Sequence, residues 1–485
     1  MASEGTSEAK PWRALPRDPV MIALTLLVIV TMPSQRRVAG PLTLSDACLL
    51  LAFGYLVLMT IVQRLMRRAD APRLVIPPAP FWIVIVVVAL CGVRILASIP
   101  DERKAAEGER DALAAEYAEA GITDQESVDA AIKESVPDVD TQAKERVKAL
   151  AKETVQSIEF FVIAPFVLLN GLASAGAIRK GIGLWAGMTV LVVLHAGSQA
   201  FVGEGGDPMG VKSLFDSRMV LSGYLAMSVP LLWGLAMADW RLWLRVGLVA
   251  AAVLGLLAMP SFGGFWGAAV GMAAAALALP GGASCRVGRL LAVAVVLIVA
   301  FQTAPYHQEF RTQGVALREV REGAEAGELS ISRKYSEWQA AYNLMVNMDG
   351  ERALGSNFVL GFGPGRYNTI DTFGGFLDVG KVEAESENQY LVIGVTLGFS
   401  GVLALAILLG SGIRGAARAL RRGVEYADAG IAAGLLGSIV GTAVVSFYTT
   451  PIVRGVGVTL LLLLCAAMAL PEADTDTEPS RGPRV

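Results

Sequence analysis

"ESENQYLVIGVTLGFSGVLALAILL", residues 385–409, begins acidic and polar and carries no charge from Asn388 onward. An uncharged apolar run of about 20 residues has the length a helix needs to cross the hydrocarbon core of a bilayer. Its polar start marks where the chain enters. Runs of the same kind recur near 18–34, 43–63, 80–99, 157–175, 181–202, 219–238, 244–260, 262–280, 287–304, 388–410, 428–448 and 455–470. They predict an all-α polytopic membrane protein with about 12 transmembrane helices. The first run is the weakest, because its uninterrupted apolar stretch is short. The seventh and eighth are joined by a tight turn at Pro260-Ser261-Phe262-Gly263-Gly264.

The composition points the same way. Of 485 residues, 54% are hydrophobic and 18% charged, too apolar for a soluble chain of this length. A formal net charge of −3 says nothing about nucleic acid. Cys48, Cys91 and Cys465 lie in apolar runs and Cys285 in a short basic loop, a spacing that suggests neither disulfides nor a metal site. His195 and His307 are the only histidines. No metal and no cofactor are therefore expected. His195, in "VVLHAGSQAF", reads as a helix-packing residue. The N-terminus lacks the pattern of a cleaved signal peptide, so the first span is expected to act as a signal anchor.

Cytoplasmic loops are enriched in Lys and Arg. One set of loops holds 19 of them, at 10, 13, 17, 64, 67, 68, 73, 179, 180, 241, 245, 286, 289, 414, 418, 421, 422, 481 and 484; the opposite short loops hold five, Arg36, Arg37, Lys212, Arg218 and Arg454. This bias puts both termini in the cytoplasm. The expected layout is a cytoplasmic tail (1–17), three spans (18–99), an extracytoplasmic helical insert (100–156), six spans (157–304), a large periplasmic loop (305–387), three spans (388–470) and a second cytoplasmic tail (471–485). In the insert, residues 101–156 carry 15 acidic and 8 basic side chains. Leu113 and Tyr117 share a helical face, Gly121 suits a C-cap and Thr123 with Glu126 suits a capping box. The insert is either a solvated helical hairpin, or a docking element for a partner or a lid.

The loop 305–387 contains "VLGFGPGRYNTI", residues 359–370. A dinucleotide fingerprint needs a strand before it and a helix at its third glycine. Here Pro364 interrupts, and no Gly-Lys-Ser/Thr follows. An extracytoplasmic position also lacks a nucleotide pool. Taken alone, the glycines make a turn.

Its flanks add to that reading. The order is "SRKYSEWQAAYNLM" (332–345), then "LGFGPGRY" (360–367), then the stretch at 385–409. This order resembles the O-antigen ligase and O-antigen polymerase family of bacterial membrane glycosyltransferases. In that family an Arg and a Trp open an amphipathic helix, a Gly-x-Gly-x-Gly-x-aromatic loop follows, and a His-Asn-x-aromatic-Leu helix start leads into a Gly-x-x-Gly span. The matching positions are Arg333 and Trp338; Gly361, Gly363, Gly365 and Tyr367; Asn388, Tyr390 and Leu391; and Gly398 and Gly401. As motif, the likeness covers about 330–405; as topology, most of the chain.

The resemblance implies a GT-C-like fold and glycosyl transfer from a polyprenyl-diphosphate donor, an undecaprenyl-diphosphate-linked saccharide, to a glycan or lipid acceptor. Membrane lipids and other polysaccharide-assembly proteins would be its partners. Such chemistry needs cations and N–H donors for the leaving diphosphate and a base for the acceptor hydroxyl. The donor-diphosphate candidates are Arg218, Lys212, Arg333, Arg366 and Arg94. Arg218 and Lys212 lie in "KSLFDSRMVLSGYLAMSVPLL" (212–232), which resembles the family's basic segment feeding a Pro-containing span. Arg218 and Arg94 can equally snorkel to lipid phosphate. Trp338, Tyr342 and Tyr367 either stack on sugars or pack the loop.

Two positions depart from the family. Glu387 stands where its His precedes the Asn, and Ser261-Phe262-Gly263 replaces its Ser-Arg-Gly turn. Glu387, or Glu385, is then the candidate base. The alternative is capping: Ser386 with Gln389 reads as a capping box that makes Glu387 the first helical residue. A rival from another class is a multispan transporter or flippase of lipid-linked saccharides, although no internal repeat supports it.

Overall fold

The computed structural model describes residues 18–34, 37–39, 42–66, 74–94, 96–97, 115, 151–152, 154–202, 211–215, 217–238, 241–303, 356–361, 388–422, 426–449 and 456–473. Every apolar run predicted above is a helix. In chain order these are α1 (Pro19–Thr31), α2 (Leu44–Leu65), α3 (Ala79–Arg94), α4 (Thr154–Gly171), α5 (Ala175–Val202), α6 (Arg218–Met237), α7 (Leu242–Leu257), α8 (Phe262–Ala278) and α9 (Ala283–Thr303). A short helix, α10 (Ser356–Leu360), comes next, followed by α11 (Gln389–Arg421), α12 (Tyr426–Val445) and α13 (Val456–Ala473). Among the described residues, the only strands form a small antiparallel hairpin, Arg37–Ala39 with Leu42–Thr43, between α1 and α2. Seven helices, α2, α4, α5, α6, α9, α11 and α12, are long and apolar enough to cross a membrane, as in a multi-pass protein; α1, α3, α7, α8 and α13 are apolar but shorter.

Local chemistry sets the helix starts. Asp18 accepts from the N–H groups of Val20 and Met21 and Pro19 follows it, so α1 begins with its free N–H groups satisfied. The same carboxylate accepts from the Tyr55 hydroxyl at 2.9 Å, tying α2 to α1. Thr43 and Asp46 form a reciprocal capping box on α2. Ser261 accepts from Gly264 N–H, which lets the tight turn after α7 restart as α8 within a few residues.

At the centre, α6, α8 and α12 pack on one another. Nearly all of α6 is buried, Pro230 included, whereas α9 is mostly exposed at the edge. Small residues make this centre. A Cβ on Gly234 of α6 would lie 2.5 Å from Gly434 Cα of α12, so the two backbones touch where any side chain would hold them apart. Helices in a bilayer gain little from burying apolar surface and associate through such close packing.

Two readings are corrected here. α11 starts at Gln389, not at Glu387, and its cap is Asn388, whose side chain accepts from Tyr390 and Leu391 N–H at 3.0 and 3.1 Å. An Asn carbonyl is among the best N-cap acceptors and sits directly before the apolar run. α11 also runs on to Arg421, past the expected end near 410, and breaks at Gly398 (φ 68°, ψ −169°).

Candidate functional site

The break in α11 is where separate pieces of the motif meet. Gly361, the first glycine of the loop, has φ +68° and is buried against Gly398, which has the same φ. A Cβ on Gly361 would lie 2.5 Å from Gly398 N and from Thr396 C and O. One on Gly398 would lie 2.3 Å from Val359 O. Only glycine fits either position, by conformation and by contact. The neighbouring Thr396 hydroxyl turns back to Val392 O at 2.7 Å, a bond that favours bending of a helix. Phe358 and Phe399 stack across the junction at 5.8 Å.

Helix α3 fastens this junction from a third direction. Its Cys91 thiol donates to Leu360 O at 2.9 Å, and Arg94 Nη1 donates to Gly361 O at 2.8 Å. The spacing of Cys91 and Arg94 places both on one face of α3. The structure therefore brings three expected residues, Arg94, Gly361 and Gly398, into a single contact.

Below the junction lies a cavity of about 180 Å³. Val84 and Val88 of α3, Phe160 and Phe161 of α4, and Val392, Ile393, Leu397 and Leu405 of α11 line it. Gln156, Ser157, Gln389 and Thr396 are the polar residues of its lining. The α4 wall is a π-helical turn, Glu159–Ile163, an irregularity common at functional sites. An apolar groove with a few polar groups suits an amphiphile.

The start of α11 is bound to the end of α12. Gln389 N–H donates to Ser446 O at 2.8 Å, the Tyr390 hydroxyl donates to Ala443 O at 2.8 Å, and the Tyr390 and Phe447 rings lie 4.5 Å apart. Asn388 and Gln389 are both buried. At the same end of α12, Tyr448 packs on Gly263, and Ser261 is hydrogen-bonded to Ser222, one turn into α6 from Arg218.

Arg218 is the first residue of α6 and half-buried. A guanidinium there adds to the positive end of a long helix, an unfavourable place for a cation and a favourable one for an anion. Lys212 is exposed. Its segment is held by residues that sequence reasoning missed. Gln199 Oε1 accepts from Lys212 and Ser213 N–H at 3.2 and 2.7 Å. Ser213 has a left-handed φ of 53°, and its hydroxyl donates to Val192 O at 3.0 Å. His195 Nδ1 lies within hydrogen-bond distance of that hydroxyl, at 3.2 Å. His195 is exposed and anchors this segment rather than packing between helices. The signal was present as two polar residues one helical turn apart, His195 and Gln199, at the end of an apolar run.

Glu385, Glu387, Arg333, Trp338, Tyr342, Gly363, Gly365, Arg366 and Tyr367 lie outside the described residues, as does nearly all of the 100–156 insert. Among the described residues no cluster of three or more His, Cys, Asp or Glu is placed to hold a metal ion. No protein-family model matches the sequence, and no curated protein matches it.

Proposed function

We propose that the chain is a membrane glycosyltransferase of the O-antigen ligase and polymerase type, working at the periplasmic face of the bacterial inner membrane. The observation that carries this reading is the meeting of Gly361 with Gly398. These residues come from separate pieces of the motif order, 37 positions apart in sequence, yet they touch through their backbones. A loop that was only a turn would have no reason to seat on the span the motif leads into.

In this reading the twelve apolar helices are twelve spans with both termini cytoplasmic. The span of α11 is its uncharged part, which runs through the break at Gly398 to Ile413, and Arg414, Arg418 and Arg421 lie beyond it on the cytoplasmic side. The acceptor hydroxyl oxygen attacks the anomeric carbon of the donor sugar. The bond from that carbon to the diphosphate oxygen breaks, and the electron pair leaves with the lipid diphosphate. Glu387 or Glu385 takes the hydroxyl proton. Arg218 and Lys212, with Arg333 and Arg366, neutralise the leaving group. The groove below Gly398 is the natural place for part of the amphiphilic donor.

The break in α11 also favours a second reading, since transporters place broken helices at their binding sites. One experiment separates the two. Purified protein is given a polyprenyl-diphosphate-linked oligosaccharide, in detergent and in vesicles. Transfer or chain growth that survives EDTA supports the enzyme. Movement of donor across the vesicle without transfer supports the transporter. After gene deletion, single-repeat products indicate a polymerase, and full-length polymer left on its carrier indicates a ligase.

A further inference from the structure

The geometry of Arg94 differs from that expected of a ligand of the donor diphosphate. Its guanidinium is directed at a backbone carbonyl of this chain, Gly361 O at 2.8 Å. One turn away on the same helix, Cys91 reaches the preceding carbonyl, Leu360 O. Those carbonyls belong to the last residue of α10 and to the glycine that follows it, where the final C=O groups of a helix lack intrahelical partners. A cation at a helix C-terminus is electrostatically favoured, and a guanidinium donating to a carbonyl makes a charge-assisted bond. On the opposite side, the Gly361 backbone is pressed on the Gly398 break. The start of the glycine loop is thus clamped between α3 and α11. We infer that Arg94 is a positioning residue, which fixes the first glycine of the loop against the break in α11 and acts on the donor only through that loop. The catalytic consequence rests on the glycosyl-transfer reading above; the clamp itself does not.

The test uses the full-length protein in detergent with a polyprenyl-diphosphate-linked oligosaccharide as donor. R94A is expected to lower kcat by about 10- to 100-fold, the effect of a displaced positioning element, while the donor KM moves less than about threefold. Amide hydrogen exchange in the peptide covering 356–361 should quicken by at least about tenfold, because the clamp no longer holds it. R94K, whose ammonium can still donate to Gly361 O, should recover most of both. Should R94A fail to accumulate, R94Q against R94K makes the same comparison. A donor KM raised tenfold or more would identify Arg94 as a diphosphate ligand and overturn the inference; so would exchange at 356–361 that does not change. If the wild-type protein transfers no sugar, the glycosyl-transfer reading fails, and the exchange measurement alone still decides the clamp.

Discussion

Arg179, near the start of α5, grips Asp428, near the start of α12, through two prongs: Nε to Oδ1 at 2.6 Å and Nη2 to Oδ2. The pair is asymmetric. The Asp428 side chain is 1% exposed and that of Arg179 45%. Removing the arginine strands a carboxylate in a dry site, whereas removing the carboxylate leaves a cation that water can reach. R179A should therefore be the more damaging change. With solvent screening of the exposed partner allowed for, the difference should be about 2 kcal/mol in favour of D428N. Thermal unfolding in detergent reads this directly, and the double variant should recover part of the R179A loss. Equal losses for the two single variants would mean that the asymmetry of burial does not control the pair.

The glycine contacts of the central bundle make a second expectation. G234A pushes a methyl group into the Gly434 backbone and should destabilise by about 2 kcal/mol, as overpacking does. Gly183 on α5 is the control. It is exposed with nothing within 4 Å of an added Cβ, and alanine is the better helix former. G183A should leave the unfolding temperature unchanged or raise it slightly. A neutral G234A would show that the bundle relaxes more easily than backbone contact implies.

What was legible in the sequence follows from which forces act at short range. Among the described residues, hydrophobic run length found every long helix, because the bilayer requirement is local and one-dimensional. Capping competition was less legible. Ser386, Asn388 and Gln389 all offer side-chain chemistry to the same helix end, and the acceptor nearest the apolar run won. The break at Gly398 was legible only as part of a Gly-x-x-Gly pattern, because what makes glycine necessary there is a contact with Gly361, far away in the chain. Arg94 was legible as a residue to notice, since a charge at the end of an apolar run demands a partner. That the carbonyl of Gly361, 267 residues on, would be one such partner was not.

Arg218 tests the anion-site reading. If its guanidinium at the positive end of α6 meets the donor diphosphate, R218A removes a charge-assisted hydrogen bond of about 1.5–3 kcal/mol. That corresponds to a donor KM about 10- to 100-fold higher. R218K should lose less, since it keeps the charge and loses only the planar fork. Unfolding temperature should barely move, because Arg218 lies at the half-buried edge of its helix. A KM shift below about twofold would assign Arg218 to lipid head groups instead.

Glu387 carries the last expectation, and the position of the cap sharpens it. Asn388 already satisfies the first N–H groups of α11, so Glu387 precedes the helix and is not needed to start it. A stability role through capping is therefore small, and E387Q should unfold at the wild-type temperature. If Glu387 is the proposed base for the acceptor hydroxyl, E387Q should lower kcat by about 10²- to 10⁴-fold, the usual contribution of a general base. E385Q, two residues earlier, distinguishes the two carboxylates. If E387Q and E385Q each form polymer at the wild-type rate with normal protein levels, neither carboxylate takes the proton. The proposed transfer would then need no protein carboxylate at that position.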